Sequence, residues 1–361
     1  MLKKLLVSLL AVFLLAGCGS NSTNSNVTVD NDFSGQTLNI YLPGEYIDEE
    51  VVAEFEQEYD VKVNISLFAS NEEMYTKLLG GTSYDILIPS DYMIEKLISE
   101  KMIKEIDTTK IPSIKDLYDG MLCDYDPDNK YSVPYFWGSV GIVYDTRKID
   151  QKDVESQGWE VLKNPKYKDL TYMYDSERDS FMVALKALGY SMNTHDEKEL
   201  EDAYNWLIDL DNKVLPMYVT DEIIDGLATI SDDKYMGIVY SGDATYILSE
   251  NENAKFFCPE EGTNIWTDAM VLHKDCKNDD LAYAFIDWMI SYDNALANSE
   301  YTGYTSPNAK AMEDLSNGEF ADYNSYVPRS GFAKDEVFHH DDEVKKIISE
   351  YWIHVKSNRN D

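Results

Sequence analysis

The sequence predicts an α/β fold built from two domains. Strand-like and helix-like segments alternate along most of the chain, and the order strand, helix, strand favours a parallel sheet. The length of 361 residues exceeds what one hydrophobic core usually holds. Hydrophobic residues make up 44% of the chain and aromatic residues 12%, which is enough for packed cores.

The first domain begins with a β-α-β-α-β pattern. Val51, Phe55 and Tyr59 recur at four-residue spacing, which is typical of one face of a helix. Alternating or continuous apolar runs predict strands at residues 37–42, 61–68 and 84–89. The expected helix caps are Asp48, Asn71 and either Ser90 or Asp91.

A second α/β region is predicted from about residue 140. A polar turn at residues 175–180 leads into a helix over residues 181–188, which Gly189 ends. Residues 236–240 predict a strand, followed by a turn at Ser241-Gly242 and another helix. Apolar stripes predict two later helices, one carrying Leu281, Phe285, Trp288 and Met289 and one over residues 344–355.

The N-terminal residues are typical of a bacterial lipoprotein signal. Two lysines precede an apolar run over residues 5–16, which is too short for a permanent membrane-spanning helix. The run ends in Leu-Ala-Gly-Cys at residues 15–18, similar to a lipobox. We therefore expect a signal peptide at residues 1–17, a lipid on Cys18 that anchors the protein to the cell membrane, and a flexible tether at residues 18–32. The alternative is an ordinary signal peptide with a chance cysteine.

The balance of charge excludes one class of partner. The chain has 67 acidic and 31 basic side chains, which gives a formal net charge of -36. Such a surface repels phosphate backbones, so we expect no binding to nucleic acid. The same field attracts cations, although most of these carboxylates need do no more than keep the protein soluble.

Motifs for catalysis or for metal binding are weak or missing from the sequence. It has no Gly-x-Ser-x-Gly, P-loop or His-Glu-x-x-His motif, and the Ser-x-x-Lys match at residues 231–234 lacks its companion motifs. His339-His340-Asp341-Asp342 could suggest a metal site, but a solvated turn is favoured. Cys123, Cys258 and Cys276 include no Cys-x-x-Cys pair and allow either one disulfide or three free thiols. We expect no enzyme activity, metal or cofactor.

Acidic and aromatic residues share the ends of the predicted strands. Such ends line clefts in α/β folds. Carboxylates pair with ammonium groups, and aromatic faces attract cations and cover methylene groups, so together they suit a polyamine. One aromatic alone is more often a core residue, so this interpretation depends on joint position. The groups are Glu45-Tyr46, Ser90-Asp91-Tyr92, Tyr135-Phe136-Trp137, residues 175–179, Tyr240-Ser241-Gly242 and Trp266-Thr267-Asp268.

Eight segments follow one another in an order that is specific as a set, although each is weak alone. They are IYLPGEYID at 40–48, SNEEMYTKLL at 70–79, YDILIPSDYM at 84–93, YSVPYFWG at 131–138, DSERDSFMVALKALGYSMNT at 175–194, MGIVYSGDA at 236–244, PEEGTNIWTDAM at 259–270 and GYTSPN at 303–308. In this order the sequence resembles a known family, the spermidine/putrescine-binding proteins of bacterial ABC importers.

This resemblance implies a two-lobed, periplasmic-binding-protein-like fold of type II. Each lobe would be a mostly parallel sheet flanked by helices, with the ligand in the cleft between the lobes. Lobe 1 would hold residues 33–138 and 270–310, and lobe 2 would hold residues 139–269 and 311–361. The resemblance also implies a monomer that passes its ligand to a membrane-embedded ABC permease.

The resemblance assigns cleft residues by their expected role. Glu45, Asp179 and Asp268 would contact amines, although Asp179 could instead cap the helix expected from Phe181. The residues that would flank methylene groups are Tyr46, Tyr240, Trp266 and Tyr304. Those that would form hydrogen bonds are Ser90, Tyr92, Ser176 and Thr220.

Two positions depart from the family pattern. Pro43 stands where a tryptophan is usual, and Ser176 stands where some members have an acid. The alternatives are a binding lipoprotein of the same fold for ferric ion, a sugar or an amino acid, and a surface-anchored hydrolase that uses two carboxylates.

Overall fold

A computed structural model describes residues 33–119 and 125–358. The predicted signal peptide, the tether, Cys18 and Cys123 lie outside these described residues. Within them, Cys258 and Cys276 are both free thiols and do not pair with each other. No helix in the described ranges is long and apolar enough to cross a membrane.

Strands and helices alternate along the described chain, as expected. The strands are β1 Thr37–Pro43, β2 Lys62–Phe68, β3 Ile86–Leu87, β4 Val133–Asp145, β5 Thr171–Tyr174, β6 Met217–Val219, β7 Met236–Tyr240, β8 Ala254–Phe257 and β9 Ile265–Leu272. The α-helices are α1 Glu49–Tyr59, α2 Asn71–Leu79, α3 Asp91–Ser99, α4 Gln151–Gln157, α5 Glu177–Ala187, α6 Glu197–Val214, α7 Glu222–Thr229, α8 Ser241–Glu250, α9 Asp279–Ile290, α10 Tyr292–Thr302, α11 Ala309–Asn317 and α12 Asp342–Ser357.

The strands form a sheet in the order β2-β1-β3-β9-β4-β7-β5-β6, with β8 paired to β4. β1 pairs in parallel with β2 and β3, and β5 pairs in parallel with β6 and β7. This confirms the parallel pairing expected in each half. Between the halves lie β4 and β9, which are antiparallel to their neighbours and were not predicted.

β4 joins the two halves of the sheet. Its first residues pair with β9, from Val133 opposite Met270 to Ser139 opposite Ile265. Its later residues pair with β7 and β8, and all 13 of its residues are buried. One strand therefore spans both halves of the sheet. The exact lobe boundaries given above stay a prediction.

One expected helix cap is confirmed and another is wrong. Asp48 caps α1 as predicted, since its Oδ1 accepts from the Glu50 amide at 2.9 Å. The cap of α2 is Ser70 and not Asn71, because the Ser70 Oγ accepts from the Glu73 amide at 3.1 Å. The Asn71 side chain instead makes two hydrogen bonds with Ser90.

The prediction was also wrong in detail for α5 and α8. α5 begins at Glu177, four residues earlier than expected, because Ser176 caps it. The expected turn at Ser241-Gly242 is the first turn of α8, with Tyr240 in the cap position. Both helices thus begin within three residues of a strand end, which brings their first turns to the edge of the sheet.

Candidate ligand-binding site

The chain segments that follow β1, β3, β5 and β7 meet near the start of β9. Tyr46, which follows β1, donates a hydrogen bond to Asp268 in β9, and Ser90 after β3 forms an isolated bridge with Asp268. Asp179, which follows β5, accepts a hydrogen bond from Tyr240 at the end of β7. This is the place where α/β folds usually bind ligands.

Asp268 is a buried carboxylate held by neutral donors. It is 8% exposed, and the Tyr46 hydroxyl donates to its Oδ2 at 2.7 Å. Burial raises the pKa of Asp268 to about 6, and the hydrogen bonds from Tyr46 and Ser90 partly oppose that rise. The structure thus brings two of the predicted site residues, Tyr46 and Ser90, to the carboxylate of a third, Asp268.

Asp179 has a similar environment. It is 5% exposed, and its Oδ2 accepts from the Ser176 hydroxyl at 2.6 Å and from the Tyr240 hydroxyl at 2.9 Å. Burial raises its pKa, while these two hydrogen bonds lower it. Because Ser176 caps α5, Asp179 is not the cap of this helix, and the alternative role considered for it is wrong.

A series of four aromatic side chains links these two carboxylates. Tyr240 binds Asp179, and Tyr46 binds Asp268, at the two ends of the series. The ring centroids are 5.9 Å apart for Tyr240 and Trp266, 5.6 Å for Trp266 and Tyr304, and 4.9 Å for Tyr304 and Tyr46. All three pairs meet edge to face. Aromatic walls of this kind can cover an alkyl chain and attract positive charge.

Tyr92 makes contacts beyond those expected. It is 8% exposed, and its hydroxyl lies 3.3 and 3.4 Å from the two carboxylate oxygens of Glu72. The guanidinium of Arg178 lies 3.8 Å from the centroid of its ring. Tyr92 therefore joins the cluster through a cation–π contact with a residue of α5.

Two further acids lie in the cluster: Asp243, which the strand-end groups did not include, and Asp91, which stood in one of those groups but was given no role in the cleft. Asp243 is half-buried and accepts from Tyr304 at 2.6 Å and from Tyr174 at 3.1 Å. Burial raises its pKa to about 6. Asp91 is 1% exposed and accepts from the amides of Tyr92 and Thr267, and burial raises its pKa to about 8. The position of both acids just after a strand end was the available signal.

These four carboxylates have no ion-pair partner among the described residues. Asp91, Asp179, Asp243 and Asp268 are hydrogen-bonded by hydroxyl and amide groups. Arg178 lowers the pKa of Asp91 and Asp179 only as a secondary influence. Burying several carboxylates without cations is costly, so the arrangement favours a cationic ligand.

Two predicted site residues are exposed, unlike the buried members of this cluster. Glu45 is exposed in a left-handed conformation with φ of 51°, and its charge contributes to the raised pKa of Asp243. Thr220 is exposed, and its hydroxyl bonds with Glu222 at 3.1 Å. A role in ligand binding stays a prediction for both residues. Pro43 ends β1 and is half-buried.

The histidine-rich turn before α12 has a structural role. Asp341 caps α12 by accepting from the Val344 amide at 2.8 Å, and His340 and Asp342 lie near Lys96. In residues 33–119 and 125–358, no group of three or more His, Cys, Asp or Glu could hold a metal ion.

Comparison with known proteins identifies the family. Residues 50–325 match the family model of bacterial extracellular solute-binding proteins. The chain belongs to this family. A spermidine/putrescine-binding periplasmic protein from Salmonella typhimurium is 32% identical over 351 residues, which cover 96% of this chain and 98% of the relative.

Two solved structures support the assignment of this solute-binding protein. A spermidine/putrescine ABC transporter protein from Listeria monocytogenes has 35% identity and a TM-score of 0.80, and the match covers 89% of this chain and 98% of that one. The substrate-binding protein of a spermidine/putrescine ABC transporter from Streptococcus pneumoniae has 36% identity and a TM-score of 0.77, with 90% and 100% covered. The predicted family and two-lobed fold are confirmed, and the relatives are solute-binding proteins and not enzymes.

Proposed function

We propose that this protein binds a polyamine, such as spermidine or putrescine, between its lobes and delivers it to the permease of an ABC importer. The observation that carries the proposal is the pair of buried carboxylates, Asp179 and Asp268, linked by four aromatic rings. The names of its relatives agree with it, since several are spermidine/putrescine-binding proteins.

Both chemical parts of a polyamine, its ammonium groups and its methylene chain, fit this site. Its ammonium groups would supply the cations that the buried carboxylates lack among the described residues. Its methylene groups would lie against the faces of Trp266 and its aromatic neighbours. A sugar or other neutral solute would leave the carboxylates without compensating charge.

Ferric ion fits the same residues less well. Iron would need deprotonated tyrosine oxygens as ligands. Here the hydroxyls of Tyr46, Tyr240 and Tyr304 all donate to carboxylates, and burial raises the pKa of each well above its usual range. The site therefore favours neutral tyrosines.

Capture is proposed to close the two lobes around the ligand. Lobe 1 would comprise residues 33–138 and 270–310, and lobe 2 residues 139–269 and 311–361. Residues of both proposed lobes meet at the site. Tyr304 of lobe 1 binds Asp243 of lobe 2, and Arg178 of lobe 2 covers the ring of Tyr92 of lobe 1. A ligand that touches both lobes stabilises the closed form.

Anchoring by a lipid on Cys18 is proposed from the sequence. Residues 1–17 would be removed as a signal peptide, and the protein would work as a monomer tethered to the outer face of the cell membrane. Because a thioether needs the thiol, Cys18→Ser should leave the protein unlipidated. Fractionation of cells should find the variant in the soluble fraction; equal membrane retention of variant and wild type would contradict the anchor.

Identification of the natural ligand tests the binding function directly. The protein would be purified without denaturation, and the small molecules released on unfolding would be identified by mass spectrometry. We expect putrescine, spermidine or a close relative in near-stoichiometric amount. A sugar, a neutral amino acid or visible absorption from bound iron would contradict the proposal.

A further inference from the structure

An ion-pair network outside the ligand cluster connects α3 with the turn before α12. Lys96 Nζ lies 3.2 Å from Asp342 Oδ1 and 3.4 Å from the Nε2 atom of His340. The neighbouring Glu95 accepts from the His340 amide at 2.6 Å and lies 3.6 Å from His339 Nδ1. The network therefore joins a helix of proposed lobe 1 to a segment of proposed lobe 2.

Lys96 is held in position for this contact by its own lobe. Its side chain is 12% exposed, it pairs with Glu100 at 3.0 Å, and its ammonium lies 4.9 Å from the centroid of the Tyr75 ring. Burial lowers the pKa of Lys96, but the hydrogen bonds to Glu100 and Asp342 outweigh this effect and raise it, so the side chain remains charged at neutral pH. A lysine fixed in this way loses little conformational freedom when it contacts Asp342.

Two further contacts also join proposed lobe 1 to proposed lobe 2. Lys345 in α12 lies 3.7 Å from Glu72 in α2 and also pairs with Glu177 in α5. Arg178 in α5 covers the Tyr92 ring in α3. These contacts place the network at the edge of the ligand cluster, because Glu72 lies near the hydroxyl of Tyr92.

We infer that Lys96 is a positioning residue for ligand capture. It is the centre of a network between the proposed lobes, here called the latch, which comprises Glu95, Lys96, His339, His340 and Asp342. The latch increases affinity for the ligand without touching it. The latch favours the closed arrangement because its ion pairs form only when α3 and the turn before α12 are together. A ligand that binds the closed form then binds more tightly. This inference rests on the two-lobed binding function proposed above.

The chain offers a matched control for Lys96 within one lobe. Lys110 pairs with Asp280 at 2.5 Å and lies 5.5 Å from the centroid of the Tyr283 ring. It therefore has the same kinds of partner, an aspartate and a tyrosine, but all three residues belong to proposed lobe 1. Lys96→Met and Lys110→Met remove the same charge from the protein.

The test compares wild type, K96M, K96R and K110M by calorimetric titration with spermidine. We expect K96M to bind roughly three- to tenfold more weakly than wild type, with K96R close to wild type and K110M unchanged. The melting temperature of the ligand-free protein should be alike for K96M and K110M. The difference in spermidine affinity between K96M and wild type should be smaller at about 500 mM NaCl than at about 20 mM NaCl, because salt screens partly exposed ion pairs.

Equal affinity of K96M and K110M would overturn the latch. A double variant K96M/D342N that is as weak as K96M alone would support it, and additive losses would contradict it. If wild type binds no polyamine, the proposed function fails, and the latch is then judged by small-angle scattering without ligand. A larger radius of gyration for K96M than for K110M would support the latch in that case, and equal radii would overturn it.

Discussion

The Tyr46 hydroxyl donates a 2.7 Å hydrogen bond to the buried carboxylate of Asp268 and ties the segment after β1 to β9. The ring of Tyr46 also meets that of Tyr304, whose own hydroxyl binds Asp243. Aromatic side chains in this cluster thus both pack against each other and donate hydrogen bonds to acids.

The approach of α8 to Tyr304 is close enough to require glycine. A Cβ atom at Gly242 would lie 2.3 Å from the Cγ and Cδ1 atoms of the Tyr304 ring. Gly242→Ala should therefore move Tyr304 away from Asp243, destabilise the protein by about 1–3 kcal/mol and weaken polyamine binding. Gly44→Ala is the control, because nothing lies within 4 Å of its added Cβ. Thermal unfolding of both variants checks this, and equal melting temperatures would show that the ring can move freely.

Polyamine affinity should rise with pH between about 5 and 7. In the arrangement seen here without ligand, burial raises the pKa of Asp268 and of Asp243 to about 6, so both are largely protonated at pH 5. An ammonium ligand favours the ionised form, so binding releases protons, and each proton released changes affinity by up to tenfold per pH unit. The ligand amines stay charged, since their pKa resembles that of lysine, about 10.

Titration in two buffers of different ionisation enthalpy measures this proton release. We expect release at pH 6 and a gain in affinity of roughly tenfold or more from pH 5 to pH 7. Asp268→Asn should reduce the dependence of spermidine affinity on pH. Affinity independent of pH over this range would mean that these carboxylates do not meet the ligand.

Without ligand, the same shifts act on stability in the opposite direction. An acid whose pKa is raised on folding holds its proton more tightly in the folded state than in the unfolded state. Its contribution to stability is therefore fully present below the unfolded value of 3.8 and is lost as pH rises through about 6. The rise in melting temperature caused by saturating spermidine should be larger at pH 7 than at pH 5, and thermal unfolding at both values checks this.

Closure should make the protein more compact when ligand binds. Small-angle scattering at saturating spermidine should show a smaller radius of gyration than the ligand-free protein, because the lobes approach each other. Asp268→Asn is the control: at a spermidine concentration only about tenfold above the wild-type Kd, it should stay mostly unbound and keep a radius near the ligand-free value. An unchanged radius for wild type would contradict the hinge, although not the binding itself.

The clustering of several candidate site residues could be predicted because they keep a fixed spacing from strand ends, while the roles in ligand binding that the resemblance implies for them stay predictions. Tyr240 ends β7, and Asp179 lies in the first turn of α5, just after β5. Such positions are set by local sequence, and the structure brings Tyr240 and Asp179 together at 2.9 Å.

Other features depend on contacts between segments far apart in the sequence, and these could not be predicted. Ser70 and Asn71 are both good caps, and Ser70 caps α2 because Asn71 is engaged by Ser90. An aspartate at a helix start is usually exposed, yet Asp91 is buried, and this burial arises from the contact of α3 with β9. The antiparallel pairing of β4 with β9 joins segments far apart in sequence, so no local pattern could indicate it.

The central claim is that Asp179 and Asp268 each hold an ammonium group of the ligand. Calorimetric titration with putrescine, with spermidine and with a diol of matching chain length tests it most directly, using wild type, Asp179→Asn and Asp268→Asn. The control is Asp116→Asn, because Asp116 is exposed. We predict that each cluster variant loses on the order of 2 kcal/mol, about thirtyfold in affinity, with little change in ligand-free melting temperature. The control should match wild type, and the diol should bind poorly. If the diol binds as tightly as the amines, or both cluster variants keep full affinity, the assignment to polyamines is wrong.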